Sequence, residues 1–88
     1  LFAHPKPNIR QYLRALPSGI TASGNHARAS IVVDDDRAVL SLDDYYAFIE
    51  GAIGAIEAGI ESFSARPDVR VRVRSIHAFD LQIRWSPR

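Results

Sequence analysis

From Val69 to Trp85 the chain alternates apolar and polar residues without a break in parity. The odd positions run Val69, Val71, Val73, Ser75, His77, Phe79, Leu81, Ile83 and Trp85. The even positions carry Arg70, Arg72 and Arg74, then Ile76, Ala78, Asp80, Gln82 and Arg84. Successive side chains of a strand point to opposite faces, so the odd residues belong to a core and the even ones to water. A slip of one residue would exchange the two faces, so the register is strongly specified. The segment is too long for an ordinary strand of about three to ten residues. No Asn-Gly or Asp-Gly divides it. The relatively polar stretch around Ser75 and His77 is the expected bend between two strands, and a single bent strand is the alternative.

Other segments supply partners for such a sheet. Ala27, Ala29, Ile31 and Val33 alternate with Arg28, Ser30 and Val32, Asp34-Asp35-Asp36 reads as a tight polar turn, and Arg37 to Leu42 reads as the return strand. Residues 27–42 therefore predict a β-hairpin. Tyr45, Ile49, Ile53, Ile56, Ile60 and Phe63 recur at helical spacing. Ser41 and Asp44 stand at capping-box spacing ahead of that stripe, with Asp43 a competing cap, and Arg66-Pro67-Asp68 is the expected stop. A shorter helix is predicted over Ile9–Leu16, capped by Asn8 and stopped by Pro17-Ser18-Gly19. The expected fold is α+β: a small antiparallel sheet of three to four strands, one long amphipathic helix packed on one face, and a short N-terminal helix.

The 88 residues are read as one domain, 1–88, with residues 1–7 an extended arm. A chain that opens on Leu1 and holds no methionine is expected to be a processed product, a trimmed piece or a module of something longer. The absence of cysteine excludes a disulfide framework, a thiolate nucleophile and cysteine-ligated zinc. It suits a reducing compartment such as the cytoplasm, and a secreted module nearly as well. The longest low-charge stretch, Ala47 to Ile60, is short and holds Glu50 and Glu57, so no membrane insertion is expected.

Charge is segregated more than its net value of +1 suggests. Residues 43–65 carry five acidic side chains and no basic one, and residues 66–88 carry six basic against two acidic. Arg70, Arg72 and Arg74 make the strongest functional candidate, a cationic row for a polyanion or a protein partner. Arg10 and Arg14, one turn apart on the first helix, extend it if the fold brings them round. The row spacing along a strand, about 6.6–7 Å, resembles the repeat of a nucleic-acid backbone. No stacking aromatic is interleaved with it, and net charge is near zero.

A second candidate is the small-residue side of the long helix, Gly51, Gly54, Ala55 and Ala58. Without bulk there, the helix can lie close on its own sheet or on the helix of a second copy. Enzyme signals are weak. His4, His26 and His77 share no metal spacing with one another, no serine stands in a triad pattern, and Asp34-Asp35-Asp36 lacks the glycine and distant glutamate of a calcium loop. No catalytic residue, metal site or cofactor is implied. The sequence favours a non-enzymatic protein-interaction or oligomerisation module, such as a homodimer or an accessory part of a larger assembly. A nucleic-acid-binding domain is the runner-up, and a small enzyme or ligand-binding domain using His26 or His77 comes third.

Overall fold

A computed structural model describes residues 8–22 and 27–87. His4, His26 and the expected arm at 1–7 lie outside the described residues. The elements in chain order are α1 (Ile9–Ala22), β1 (Arg28–Val33), β2 (Arg37–Asp43), α2 (Ile49–Glu61), β3 (Ala65–Ser75) and β4 (Ala78–Pro87). The strands form one sheet in the order β1-β2-β4-β3, antiparallel throughout. The fold is α+β, with four strands and two helices.

Both helices cover the same face of the sheet. Leu13 of α1 and Ile60 of α2 are fully buried against Leu40 and Leu42 of β2 and Leu81 and Ile83 of β4. Burying each such side chain is worth about 1.5–3 kcal/mol. The odd residues of β3 and β4 face this core, as their parity requires. The exceptions are at the hairpin end, where Val73 is 64% exposed and Ser75 is exposed too.

The predicted hairpin at 27–42 is present. Val33 pairs with Ala38 and Arg28 with Asp43, and the turn is closed by Asp34 N–H donating to the Arg37 carbonyl at 2.7 Å. The last segment is two strands, joined at Ile76-His77. Its unbroken parity has a specific cause. Ser75 pairs with Ala78, which alone would set odd residues against even ones. A register shift between Val73 and Ser75 restores the match, so Val73 faces Phe79 and Val71 faces Leu81. Arg74 is the extra residue of this β-bulge.

The helices depart from expectation in length. α1 has 14 residues and α2 has 13, so neither is the long one. Asn8 caps α1 as expected: its Oδ1 accepts from Gln11 N–H at 2.9 Å, and Gln11 Oε1 accepts from Asn8 N–H at 3.1 Å, a reciprocal capping box. Pro17 does not stop the helix. An interior proline costs about 3 kcal/mol, but Ile20 continues the stripe of Ile9, Leu13 and Leu16 onto the core.

α2 starts later than its stripe suggests. Ser41 and Asp43 are strand residues, held in β2 because Leu40 and Leu42 are buried on either side of Ser41, so the expected capping box does not exist. Asp44 then turns the chain with φ 55°, and Tyr45 enters the core from the loop, its N–H donating to the His77 carbonyl at 2.9 Å. The stop also differs. Arg66-Pro67-Asp68 lies within β3, while Ser64 ends the helical region at φ 59°.

Pro67 is tolerated there for a geometric reason. Trp85 N–H donates to the Asp36 carbonyl, so the odd residues of β4 bond toward β2 and its even residues toward β3. Pro67 pairs with Trp85 and therefore has its nitrogen on the free edge, where no donor is required. Among the described residues no helix is long and apolar enough to cross a membrane.

Candidate functional site

The face of the sheet away from the helices has no covering layer among the described residues, and none of its side chains belongs to the core. Strand pairing arranges it in rows. One row sets Arg37 beside Arg84 and Arg84 beside Asp68. The next runs Val32, Val39, Gln82, Arg70, and the one after it Ser30, Ser41, Asp80, Arg72. Neighbours within a row stand about 4.5–5.5 Å apart between Cβ atoms. The result is a cationic face with interleaved carboxylates and an exposed valine pair at its β1 side, Val32 at 68% and Val39 at 39%.

Arg70 and Arg72 lie on this face as the alternation requires. Arg70 pairs loosely with Asp68 at 3.4 Å. Arg72 has no carboxylate of a described residue within ion-pair distance, and the same holds for Arg66 and Arg84.

Arg74 is committed elsewhere. Its guanidinium donates to Asp80 at 2.9 Å, to Asp43 at 3.0 Å and to the Leu42 carbonyl at 3.1 Å. The Asp43 hydrogen bond holds the guanidinium above its already high ordinary value, partial desolvation opposes it, and the charge of Asp43 and the contacts of Asp80 add to the rise. The bulge turns this side chain across the hairpin, so Arg74 ties β2, β3 and β4 together.

Arg10 and Arg14 are on α1, in the helical layer. Arg10 pairs with Asp35 at 3.3 Å. The two line a cleft of about 370 Å³ with the Asp34–Asp36 turn and Arg37. Arg37 also lines a second cleft, of about 400 Å³, with Asp36, Arg66, Pro67, Asp68, Arg84, Trp85 and Ser86. The helix arginines thus approach the open face only at its turn end, through Arg37. A smaller depression of about 130 Å³ shares Asp68 and Arg84 with the second cleft and extends along Arg70 and Gln82.

The small-residue side of α2 splits in two. Gly51 and Gly54 face open space, and a Cβ at either would meet nothing within 4 Å. Ala55 and Gly59 meet α1 instead: Tyr12 Oη donates to the Ala55 carbonyl at 3.3 Å, and the Tyr12 ring lies where a Gly59 Cβ would go. Ala58 is exposed. The stripe does not lie on the sheet.

His77 is in the β3–β4 turn, its ring 4.0 Å from that of Tyr46, and not in the interior position its parity suggested. Among the described residues no group of His, Asp and Glu is arranged to hold a metal ion. The Asp34–Asp36 cluster serves as the hairpin turn.

Arg37, Arg66 and Arg84 were not singled out from the sequence. Arg84 shares the even parity of Arg70, which is a usable signal. Arg66 looked like part of a helix stop, and Arg37 joins the others only through the β2–β4 pairing. Compared with known proteins, the chain matches no family model, no curated protein and no solved structure.

Proposed function

We propose that this chain is a non-enzymatic protein-interaction domain whose open sheet face binds an acidic protein surface. The observation that carries the reading is the uncovered face itself, with Arg66, Arg70, Arg72 and Arg84 on adjacent strands and, among the described residues, only Arg70 of the four ion-paired. Arginine is enriched at protein interfaces. The interleaved Asp68 and Asp80 and the Val32–Val39 pair fit such a partner better than a uniformly anionic strand. No aromatic side chain stands in the rows of this face for a base to stack on. Strand spacing and rise make the face on the order of 500 Å², against about 800 Å² per partner for a standard stable complex. The contact belongs to the transient class.

The chain carries an acidic surface of its own. Glu50, Glu57 and Glu61 of α2 make no ion pair among the described residues. A second copy is therefore one partner to test.

The experiment compares an Asp/Glu-rich peptide with single-stranded nucleic acid of matched charge across a salt series, with solution mass measured at two protein concentrations. The peptide should bind, weaken as salt rises, and weaken again in Arg72→Gln. No peptide binding at low salt together with a constant monomer mass sinks the proposal. Preferential binding of the nucleic acid transfers the face to the runner-up reading.

A further inference from the structure

At the turn end of the open face, three arginines from three strands line one cleft. Arg37 of β2 sits directly opposite Arg84 of β4, and Arg66 of β3 pairs with Ser86, two residues along β4 from Arg84. Directly opposed Cβ atoms are about 4.5–5.5 Å apart and diagonal ones about 7–8 Å, so the three guanidinium groups can reach one ligand together. Two carboxylates share the cleft, and both have partners: Asp68 with Arg70 at 3.4 Å, and Asp36 with Arg37 at 3.9 Å. Arg66 and Arg84 have none among the described residues. The cleft's volume of about 400 Å³ falls within the range of small-molecule sites, about 300–1,000 Å³.

We infer that this cleft is a binding site for a phosphate monoester. The inference rests on reading the open face as anion-binding and narrows it to one cleft and one ligand class. A carboxylate offers two oxygens and one charge, enough for a single arginine fork. A phosphoryl dianion presents three strong acceptor oxygens and nearly two charges, which is what three converging guanidinium groups and the Ser86 hydroxyl can use. Pro67 and Trp85, whose side chains turn to the helical face, also border this cleft, and the carbon group that carries the phosphate would lie at that edge.

The test is an NMR titration of the full chain with phenyl phosphate, inorganic phosphate and benzoate, following backbone amides and arginine Nε–H signals. Phenyl phosphate should bind most tightly and benzoate least, with saturable shifts concentrated at 36–37, 66–68 and 84–86. Arg84→Gln should weaken phenyl phosphate about ten- to a hundredfold, as expected for a lost charge-assisted hydrogen bond. Arg66→Gln should act in the same direction, and Arg28→Gln, on β1 and outside the cleft, should leave the affinity unchanged. Arg66 and Arg84 are exposed, so an unaltered amide spectrum away from the cleft confirms folding.

Benzoate binding as tightly as phenyl phosphate overturns the inference. So do inorganic phosphate binding as tightly as phenyl phosphate, shifts spread over all arginines without saturation, or indifference to Arg84→Gln. The two readings fail separately: acidic-peptide binding that needs Arg72 while phenyl phosphate does not bind removes the cleft site and leaves the proposed function standing.

Discussion

The three glycines of α2 should respond with opposite signs to one substitution. Gly54 is mid-helix, and an added Cβ meets nothing within 4 Å. Gly54→Ala should therefore gain about the full helix-propensity difference, roughly 1 kcal/mol. Gly51 lies in the first turn of α2, so Gly51→Ala should gain a smaller part of that roughly 1 kcal/mol. At Gly59 the new Cβ would occupy the place of the Tyr12 ring and hydroxyl. The ring must swing aside. It then gives up its hydrogen bond to the Ala55 carbonyl at 3.3 Å and its contact with Phe63 at 5.9 Å. An exposed hydrogen bond is worth about 0.5 kcal/mol and an aromatic pair about 0.5–1.5 kcal/mol. The loss offsets the propensity gain and leaves Gly59→Ala between neutral and about 1 kcal/mol destabilising. Urea unfolding reads the difference directly: with a slope of about 1 kcal/mol per molar, the two variants should separate by about 1–2 M in midpoint. Tyr12→Leu added to Gly59→Ala should recover part of the loss, the sign of a coupled pair. If Gly59→Ala raises the midpoint as far as Gly54→Ala does, the seating of Tyr12 over Gly59 is wrong. If Gly54→Ala lowers it, increasingly so at higher protein concentration, a second copy covers the outer side of α2.

Leu40→Ala, at a fully buried site in the centre of the sheet, should cost about 2–5 kcal/mol by urea or thermal unfolding. Burial raises the Tyr12 pKa above 10.0, so the folded state holds that proton more tightly than the unfolded state. The resulting stability is complete below pH 10 and is lost as pH rises through the folded value; the urea midpoint should fall there, and fall less in Tyr12→Phe. Pro67→Val places a new N–H on the free edge of β3, and sedimentation should detect more self-association than in the parent chain. Arg74→Ala removes the cross-strand ties of the bulge, and amide exchange at Ser75–Phe79 should accelerate while the β1–β2 hairpin keeps its protection.

What was legible in the sequence is what one strand can specify alone. Alternation assigned the faces of β1, β3 and β4 because each strand has one buried side, and the Asp34–Asp36 turn followed from residue chemistry. What failed were choices between a local signal and a tertiary one. Pro17 reads as a stop, but α1 runs through it and Ile20 joins Ile9, Leu13 and Leu16 in packing on the core. Tyr45 reads as the first residue of a helical stripe, yet it reaches the core from a loop because Leu42 keeps the preceding residues in β2. Pro67 reads as a boundary because its tolerance depends on which neighbour its nitrogen faces, and that is set by Trp85 on β4 and Asp36 in the β1–β2 turn.

The candidate site was legible only by half for the same reason. Alternation put Arg70, Arg72 and Arg74 on one face, but what each arginine does depends on pairing. An ordinary two-residue turn at Ile76-His77 would have set the valines of β3 against Asp80 and Gln82. One inserted residue corrects the match, and that residue is Arg74. Its guanidinium is committed to Asp43 and Asp80, which would otherwise add two negative charges to the open face. Neutralising those carboxylates leaves Arg66, Arg72 and Arg84 as the cations of the open face without ion-pair partners among the described residues. Arg74, one of the three arginines of the expected row, ties the hairpin to β2 and leaves the rest of the face positive.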